Sequence, residues 1–444
     1  MLLKRTAPFL FGRFTPEQTK RIFAASFGHF SIDVLNSSIA MILVALTGTF
    51  DLSVSQIGFA AMIYQFGAAL SQPFFGILAD HWRGRWLGAL GLLWTAIFYA
   101  AIPFMPSYVA LVICMSLGSF GSGALHPAGM VNASAAGGRF PTTSTSIFFL
   151  FGQTGLSLGP FLAGLIIQTM GITGLPYLTL AMIPAVYFMF VYLRQPLEEE
   201  DAAVASPLVK PALADATDTA DTAVNSNGRR GVMRQSIIMI TAFILLIVLR
   251  SGTLQGFVTL LPKLFDDMGI QPATYGAMIA TFTFAGALGT YGGGFLGDRY
   301  NRRVVICLST LGGVPFAYIM LNNQTWVFFL VAAAAGALFN VPHSILLVMA
   351  QKLLPKRKGL IGGAVLGLMF ASGAVMTWAA SIAADYAGLP LVLTVLVLLP
   401  IGAALSALVL PSTRGVEPQL APVAAEPTSE STSESTPAST PAGD

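Results

Sequence analysis

Twelve apolar runs, each about as long as a helix needs to be to cross the hydrocarbon core of a bilayer, dominate this chain of 444 residues. They lie at 22–47, 56–79, 87–105, 108–133, 145–170, 174–193, 236–262, 273–296, 304–321, 325–350, 360–384 and 389–410. Lipid offers the backbone no hydrogen-bond partners, so each run is expected to be helical. The sequence therefore predicts an all-α integral membrane protein with twelve transmembrane helices.

Charged residues are scarce, at 10% of the chain against about 25% in soluble domains. This excludes a soluble enzyme, a nucleic-acid-binding protein and a disordered scaffold. If the runs cross the membrane in order, 21 of the 23 Lys and Arg fall on one side. The exceptions are Arg250, within run 7, and Lys263, at its far end. Because basic loops stay in the cytoplasm, we expect an inner-membrane protein with both termini cytoplasmic.

The runs form two groups of six, which we assign to an N-terminal half (22–194) and a C-terminal half (236–410). Residues 1–21 form a predicted cytoplasmic N-terminal segment. The stretch 195–235, rich in Ala, Asp, Thr and Pro, is predicted to be a flexible cytoplasmic linker. Residues 411–444, rich in Pro, Ser, Thr and Glu, are predicted to be a disordered cytoplasmic tail.

The two halves repeat each other at an offset of 218 residues. The matching positions in the first half are Gly58, Gly76, Asp80, Arg85, Gly118 and Gly155, and those in the second are Gly276, Gly294, Asp298, Arg303, Gly336 and Gly373. Two parallel six-helix halves that share a site near the middle of the membrane are typical of secondary transporters. A helix bundle without a transport role is the alternative.

Two strings, GILADHWRGR (76–85) and GGFLGDRYNRR (293–303), resemble the loop motif of the major facilitator superfamily. Further strings, including GHFSID (28–33), GALHPAG (123–129) and GQTGLSLGP (152–160), resemble the fosmidomycin-resistance branch of that superfamily. The resemblance extends over about residues 22–410 and implies the major facilitator fold with two pseudo-symmetric halves. In that branch an acidic residue often follows the His-Pro pair, whereas this chain has Ala128 there.

The loop motif implies, by the same resemblance, a conformational latch that holds the outward-facing state closed at the cytoplasmic side. A glycine allows close approach of a neighbouring helix, and an aspartate at a helix end can meet basic residues and the positive N-terminus of another helix. The alternative is that these charges only fix the topology. The predicted latch residues are Gly76, Asp80, Arg83, Arg85, Gly294, Asp298, Arg299 and Arg303.

Asp33 lies near the middle of run 1, where a charge costs about 2.5–3.5 kcal/mol. Polar side chains at three- and four-residue spacing share one face of this helix: Ser26, His29, Asp33, Asn36 and Ser37. Burial favours a protonated carboxyl, and a nearby cation favours the carboxylate. We therefore predict that Asp33, with His29 one turn away, carries the proton of an antiporter. The alternative is a permanent structural pair of Asp33 with His29 or Arg250.

Arg250 is the only basic residue inside a run, and the repeat maps it to Ile32, beside Asp33. Its guanidinium can bind phosphonate, phosphate or carboxylate through two parallel hydrogen bonds. Two roles remain open, binding of an anionic substrate and service as the counter-ion of Asp33.

Four further polar residues within the runs are predicted to contact substrate: His126, Gln153, Asn340 and His343. His126 and His343 are near-equivalents in the repeat, which favours positions at a shared cavity. The alternatives are a packing role for each histidine and a helix–helix hydrogen bond for Gln153.

A nucleotide-binding G-K-[ST] motif does not occur, so we expect a proton gradient as the energy source and no cofactor. Neither catalytic constellations nor metal-ligand spacings are evident, which argues against an enzyme and a metal site. The prediction is a proton-coupled antiporter that exports a small drug-like or anionic compound by alternating access, without nucleic acid or an obligate protein partner. The alternatives are uptake or exchange of a metabolite anion, such as an organic acid or sugar phosphate, and a membrane sensor or scaffold.

Overall fold

The computed structural model describes residues 11–81, 86–193, 226–322, 326–353, 358–410 and 412. Within these ranges the chain forms helices and turns and contains no strand. Most of the predicted linker and nearly all of the predicted tail lie outside the described residues. The all-α prediction is confirmed for the part of the chain that the structure describes.

In the part of the chain that the structure describes, twelve long helices, labelled α1 to α12, correspond one to one to the predicted runs. They are α1 (Pro16–Ser37, continued by Ile39–Ala45), α2 (Val54–His81), α3 (Leu87–Ala101), α4 (Tyr108–Ala136), α5 (Pro141–Met170), α6 (Leu175–Tyr192), α7 (Ser226–Asp267), α8 (Pro272–Arg299), α9 (Arg302–Asn322), α10 (Val327–Asn340, continued by Pro342–Leu353), α11 (Lys358–Ala387) and α12 (Leu389–Ala407). Ten of them are long and apolar enough to span a membrane. The other two, α2 and α8, are not among these ten.

Helices α1 and α7, which correspond in the repeat, both begin before their apolar runs. α1 starts at Pro16, after a capping box in which Thr15 and Gln18 accept each other's backbone N–H. α7 starts at Ser226, inside the segment assigned to the linker. The turns that precede each run are polar, so a criterion based on apolar length does not detect them. The predicted boundaries at 22 and 236 thus mark where the apolar sequence begins, and the helices extend beyond it.

Among the described residues, the two halves, α1–α6 and α7–α12, meet mainly along two helix pairs, α2 with α11 and α5 with α8. Helix α7 also makes smaller contacts with α1 and α2. A repeat-related glycine lies at each of the two main pairs. A Cβ atom on Gly58 would lie 2.0 Å from Oγ of Ser381 in α11, and one on Gly276 would lie 2.4 Å from the carbonyl oxygen of Pro160 in α5. Both distances are shorter than any real Cβ contact, so these crossings depend on the absence of a side chain.

The halves diverge along the bundle axis. We call the end at which α1 begins and α12 ends the terminal side, and the opposite end the distal side. Gly76 lies on the same face of α2 as Gly58, about five turns nearer the terminal side, and Gly294 is related to Gly276 in the same way on α8. The nearest described atoms to Cβ positions on Gly76 and Gly294 belong to their own halves, at 3.9 and 3.7 Å. Among the described residues, the halves touch on the distal side and separate on the terminal side.

Candidate functional site

Asp33 lies between two histidines inside the N-terminal half. Nε2 of His29, one turn earlier on α1, is 3.1 Å from Oδ2 of Asp33. Nε2 of His126, on α4, is 3.3 Å from Oδ1. Asp33 and His29 are both only 4% exposed, so the carboxyl group is buried with one imidazole at each oxygen. We call Asp33, His29 and His126 the triad.

The second ring nitrogen of each histidine faces a backbone carbonyl. Nδ1 of His29 is 2.8 Å from the carbonyl oxygen of Phe148 in α5, and Nδ1 of His126 is 2.7 Å from that of Ser122. A carbonyl oxygen only accepts hydrogen bonds, so Nδ1 is the protonated nitrogen in both rings. Nε2 is therefore the atom at which each ring gains or loses a proton, and both Nε2 atoms point at Asp33.

This geometry limits how many protons the triad holds favourably. Without a shared proton, ring lone pairs face the carboxylate lone pairs at both contacts. One shared proton converts one contact into a hydrogen bond, and a second proton converts the other. The triad can therefore store one or two protons, and each proton that leaves removes one buried hydrogen bond.

A hydrogen-bonded network ties the triad to α2. Nδ2 of Asn36 donates to Oδ1 of Asp33 and to Oγ of Ser122, at 3.0 Å in each case. The hydroxyl of Tyr64, on α2, donates to Oδ1 of Asn36 at 2.6 Å. Sequence reasoning did not select Tyr64, and the only available signal was a hydroxyl placed inside an apolar run.

Helix α5 approaches α1 through the glycines of the GQTGLSLGP segment. A Cβ atom on Gly152 would lie 2.3 Å from Cε1 of His29, and one on Gly155 would lie 2.3 Å from the carbonyl oxygen of Phe30. The ring of Phe148 stacks on that of His29, with centroids 4.0 Å apart. These contacts hold the His29 ring in place against Asp33.

Arg250 forms a second polar centre, in the C-terminal half. Its Nε donates to the carbonyl oxygen of Phe339 at 2.9 Å, and its Nη2 donates to Oδ1 of Asn340 at 3.1 Å. The Asn340 amide is itself oriented by donating from Nδ2 to the carbonyl oxygen of Gly336 at 2.9 Å. Arg250 is 3% exposed. No carboxylate among the described residues forms an ion pair with it. In this conformation, therefore, it is not the counter-ion of Asp33.

The four residues predicted to contact substrate therefore do not form one cluster in this structure. His126 joins the triad, whereas Asn340 binds Arg250. His343 is partly buried on α10, one turn after Asn340 and within range of the Arg250 charge. Gln153 is exposed on the face of α5 that carries Pro160, the residue that contacts α8 further along. Gln153 therefore lies at the surface between the halves, where α5 and α8 have separated.

The described part of the predicted latch is not engaged with the other half. Arg83 and Arg85 lie outside the described residues, and of Asp80 only the backbone is described. In the second copy of the motif, the side chain of Asp298 is 81% exposed. Its Oδ1 accepts from Nη2 of Arg302 at 3.4 Å.

Arg302, which is not among the predicted latch residues, is therefore the partner of Asp298 in this structure. Arg302 is only 4% exposed, and its Nε donates to the carbonyl oxygen of Gly297 at 3.1 Å. The guanidinium of Arg299 lies 6.0 Å from the ring centre of Tyr300. The spacing of four residues from Asp298 to Arg302 across the end of α8 is what brings this pair together.

Comparison with known proteins gives matches along most of the chain. The family model described as Major Facilitator Superfamily matches residues 25–262 and 242–435. The fosmidomycin resistance protein of Escherichia coli (strain K12) is 29% identical over 380 residues, which cover 85% of this chain and 89% of that protein. The uncharacterized MFS-type transporter YfnC of Bacillus subtilis (strain 168) is 27% identical over 373 residues, 84% of this chain and 88% of that protein.

Solved structures share the architecture at low sequence identity. A bacterial homolog to the human lysosomal transporter Spinster, in an inward-facing and occupied conformation, superposes with a TM-score of 0.67 at 13% identity, covering 89% of this chain and 97% of that one. A D-xylose–proton symporter superposes with a TM-score of 0.64 at 14% identity, covering 89% and 99%. These similarities confirm the predicted fold of twelve helices in two halves.

Proposed function

From the premise that this chain belongs to the major facilitator superfamily, we propose that it is a proton-coupled antiporter that exports a small drug-like or anionic compound by alternating access. Family and fold make it a multi-pass membrane transporter. The observation that carries the proton assignment is the pair of Nε2 contacts, 3.1 and 3.3 Å, that His29 and His126 make with Asp33.

The free-energy cost of burying the triad without a shared proton supports proton coupling at this site. A buried polar group without a hydrogen-bond partner costs free energy. One shared proton makes the triad neutral and hydrogen-bonds one contact of Asp33, whereas a second proton leaves a net positive charge. The singly protonated triad is therefore the form best suited to a closed, water-free environment. Loss of a proton is favoured when water reaches the site. Access from alternating sides would thus load the proton on one side and release it on the other.

Arg250 and Asn340 support an anionic substrate. The guanidinium is buried and has no carboxylate partner among the described residues, so an incoming anion would compensate its charge. Hydrogen bonds between a guanidinium and a phosphonate, phosphate or carboxylate are stronger than neutral ones. The fosmidomycin resistance protein is the relative that suggests a drug rather than a metabolite.

The direction of transport rests on the orientation of the bundle. We assign the terminal side to the cytoplasm because the basic loops lie there. The open terminal side of this structure then corresponds to an inward-open state, in which a compound enters from the cytoplasm. This is the loading state that an exporter requires, and we propose the bacterial inner membrane as its location.

The test is transport into inside-out vesicles under an imposed pH gradient, with a compound panel that includes fosmidomycin. We expect Asp33→Asn to abolish gradient-driven accumulation and to keep counterflow, which needs no net proton movement. The matched control is Asp51→Asn, which neutralises an exposed aspartate in the distal turn after α1. Accumulation at the wild-type rate by Asp33→Asn would show that the proton assignment is wrong.

Two other outcomes identify the alternatives. Accumulation of an organic acid or sugar phosphate in vesicles of the native orientation, with no drug transported, would favour a metabolite transporter. A chain that transports no compound on the panel, and whose cellular effect is lost with residues 415–444, would favour a sensor or scaffold.

A further inference from the structure

The N-terminus of α2 is capped by a carboxylate from the opposite half. Oδ1 of Asp385, near the end of α11, accepts from the backbone N–H of Val54 at 2.9 Å. The N–H of Ser55 lies 3.3 and 3.2 Å from Oδ1 and Oδ2 of the same carboxylate. The first N–H groups of a helix have no intrahelical acceptor and form the positive end of its dipole. Asp385 therefore satisfies α2 across the boundary between the halves.

The pseudo-symmetric position carries a second cap. Oε1 of Gln168, near the end of α5, accepts from the N–H of Ala273 at the start of α8, at 3.1 Å. Ala273 corresponds to Ser55 at the offset of 218 residues, and Gln168 corresponds to the neighbour of Asp385. Each half thus caps a helix of the other, once with a charged carboxylate and once with a neutral amide.

These caps lie just distal to two close helix crossings between the halves. Gly58 and Gly276, which contact α11 and α5, follow the capped N-termini by about one turn. Separation of the halves on the distal side would have to break both caps together with these crossings. The terminal side, where the halves have already separated, has no equivalent contact between described residues of the two halves.

We propose that two caps form a distal gate that holds the terminal-side-open conformation: Asp385 of α11 caps the N-terminus of α2, and Gln168 of α5 caps that of α8. Asp385 is the dominant member of this gate. The carboxylate dominates because hydrogen bonds to an ionised acceptor are about twice as strong as neutral ones. It also contacts two N–H groups, whereas the amide contacts one. This proposal rests on alternating access but on no particular substrate or coupling ion. The distal gate is distinct from the predicted latch, which lies on the terminal side.

The gate is tested by the accessibility of a single cysteine. Ser381, which is fully buried against Gly58, is replaced by cysteine in a background with Cys114→Ala and Cys307→Ala. The full-length protein in nanodiscs is then reacted with a maleimide-coupled polyethylene glycol, which reaches position 381 when the distal side opens.

We expect the cysteine at position 381 to be labelled about fivefold faster in Asp385→Ala than in the parent single-cysteine protein. This factor corresponds to the loss of a typical helix cap. Gln168→Ala should label faster by a smaller factor, and Asp385→Asn, which keeps a neutral acceptor, should fall between the parent and Asp385→Ala. The matched control Asp51→Asn removes a charge from the same side without touching α2 and should label at the parent rate.

Labelling in dodecyl sulfate shows that the cysteine of every variant is reactive once exposed, and thermal unfolding shows whether the variant is folded. A folded Asp385→Ala that labels at the parent rate would overturn the proposal, as would equal acceleration by Asp51→Asn. If Asp385→Ala does not fold, Asp385→Asn decides in the same way. The assay contains neither substrate nor a proton gradient, so its failure is distinguishable from failure of the proposed function.

Discussion

Nε2 of His126 on α4 lies 3.3 Å from Oδ1 of Asp33 on α1. This contact joins two helices that are far apart in sequence and makes the acidic residue of α1 part of the triad. His29, in the same helix as Asp33, occupies the other carboxyl oxygen at 3.1 Å. The site is therefore contained in one half of the protein, while Arg250 lies in the other.

His126→Gln removes one of the two groups that can share a proton with Asp33. Glutamine fills a similar volume and can form a hydrogen bond, but it does not titrate. We expect gradient-driven transport in inside-out vesicles to be lost, with counterflow retained, as for Asp33→Asn. His343→Gln, which removes an imidazole one turn after Asn340 on α10, should instead weaken substrate affinity and leave transport proton-dependent. Full gradient-driven transport by His126→Gln would rule out its role in the triad.

Gly152→Ala tests whether the position of the His29 ring matters. The added methyl group would lie 2.3 Å from Cε1 of His29, so the ring or α5 must move. Overpacking of this kind costs about 1–3 kcal/mol. We expect a lower unfolding temperature and a loss of proton-driven transport.

The control for this change is Gly367→Ala, since a Cβ atom at that position in α11 would meet nothing within 4 Å. It should leave both the unfolding temperature and transport close to wild type. Equal transport by the two variants would mean that the orientation of His29 is not critical.

Arg250→Lys keeps the positive charge and removes the forked guanidinium. A hydrogen bond to a charged group contributes about 1.5–3 kcal/mol, so the affinity for an anionic substrate should fall at least about tenfold. Binding of a neutral compound by the same protein should change little. The measurement is the Kd of each compound by titration calorimetry, and an unchanged Kd for the anion would remove Arg250 from the substrate site.

Tyr64→Phe removes the hydroxyl that orients Asn36 beside Asp33. One hydrogen bond of this kind contributes about 1 kcal/mol to stability. We expect a lower unfolding temperature with proton coupling preserved, because Tyr64 contacts the triad only through Asn36. The control is Tyr187→Phe, since Tyr187 is 62% exposed. Complete loss of coupling in Tyr64→Phe would instead assign the hydroxyl a direct part in proton transfer.

The helices were predictable because lipid imposes one length and one kind of hydrogen bonding on every membrane-spanning segment. The pair of His29 and Asp33 was predictable for a similar reason, since a spacing of four residues places two side chains on one helix face. The early start of α7 was not, because polar turns outside the membrane carry no apolar signal. For α1 the capping box of Thr15 and Gln18 was a signal, but a criterion based on apolar length does not detect it.

Contacts between helices depend on their rotation and depth, which local spacing does not determine. The contact of His126 with Asp33 was therefore not predicted, although each of the two residues was selected on its own. Arg302 was missed because the motif pointed to its neighbours, Arg299 and Arg303. The cap of α2 by Asp385 had no sequence signal at all, since it joins residues from the two halves.

The most direct test of proton coupling is proton release on substrate binding. Purified protein in weakly buffered detergent solution is mixed with a transported compound, and a pH indicator reports the protons released while calorimetry confirms binding. We expect the wild-type protein to release protons, and Asp33→Asn and His126→Gln to bind the compound without release. Binding to the wild-type protein without proton release, or undiminished release by Asp33→Asn, would contradict a triad that exchanges protons for substrate.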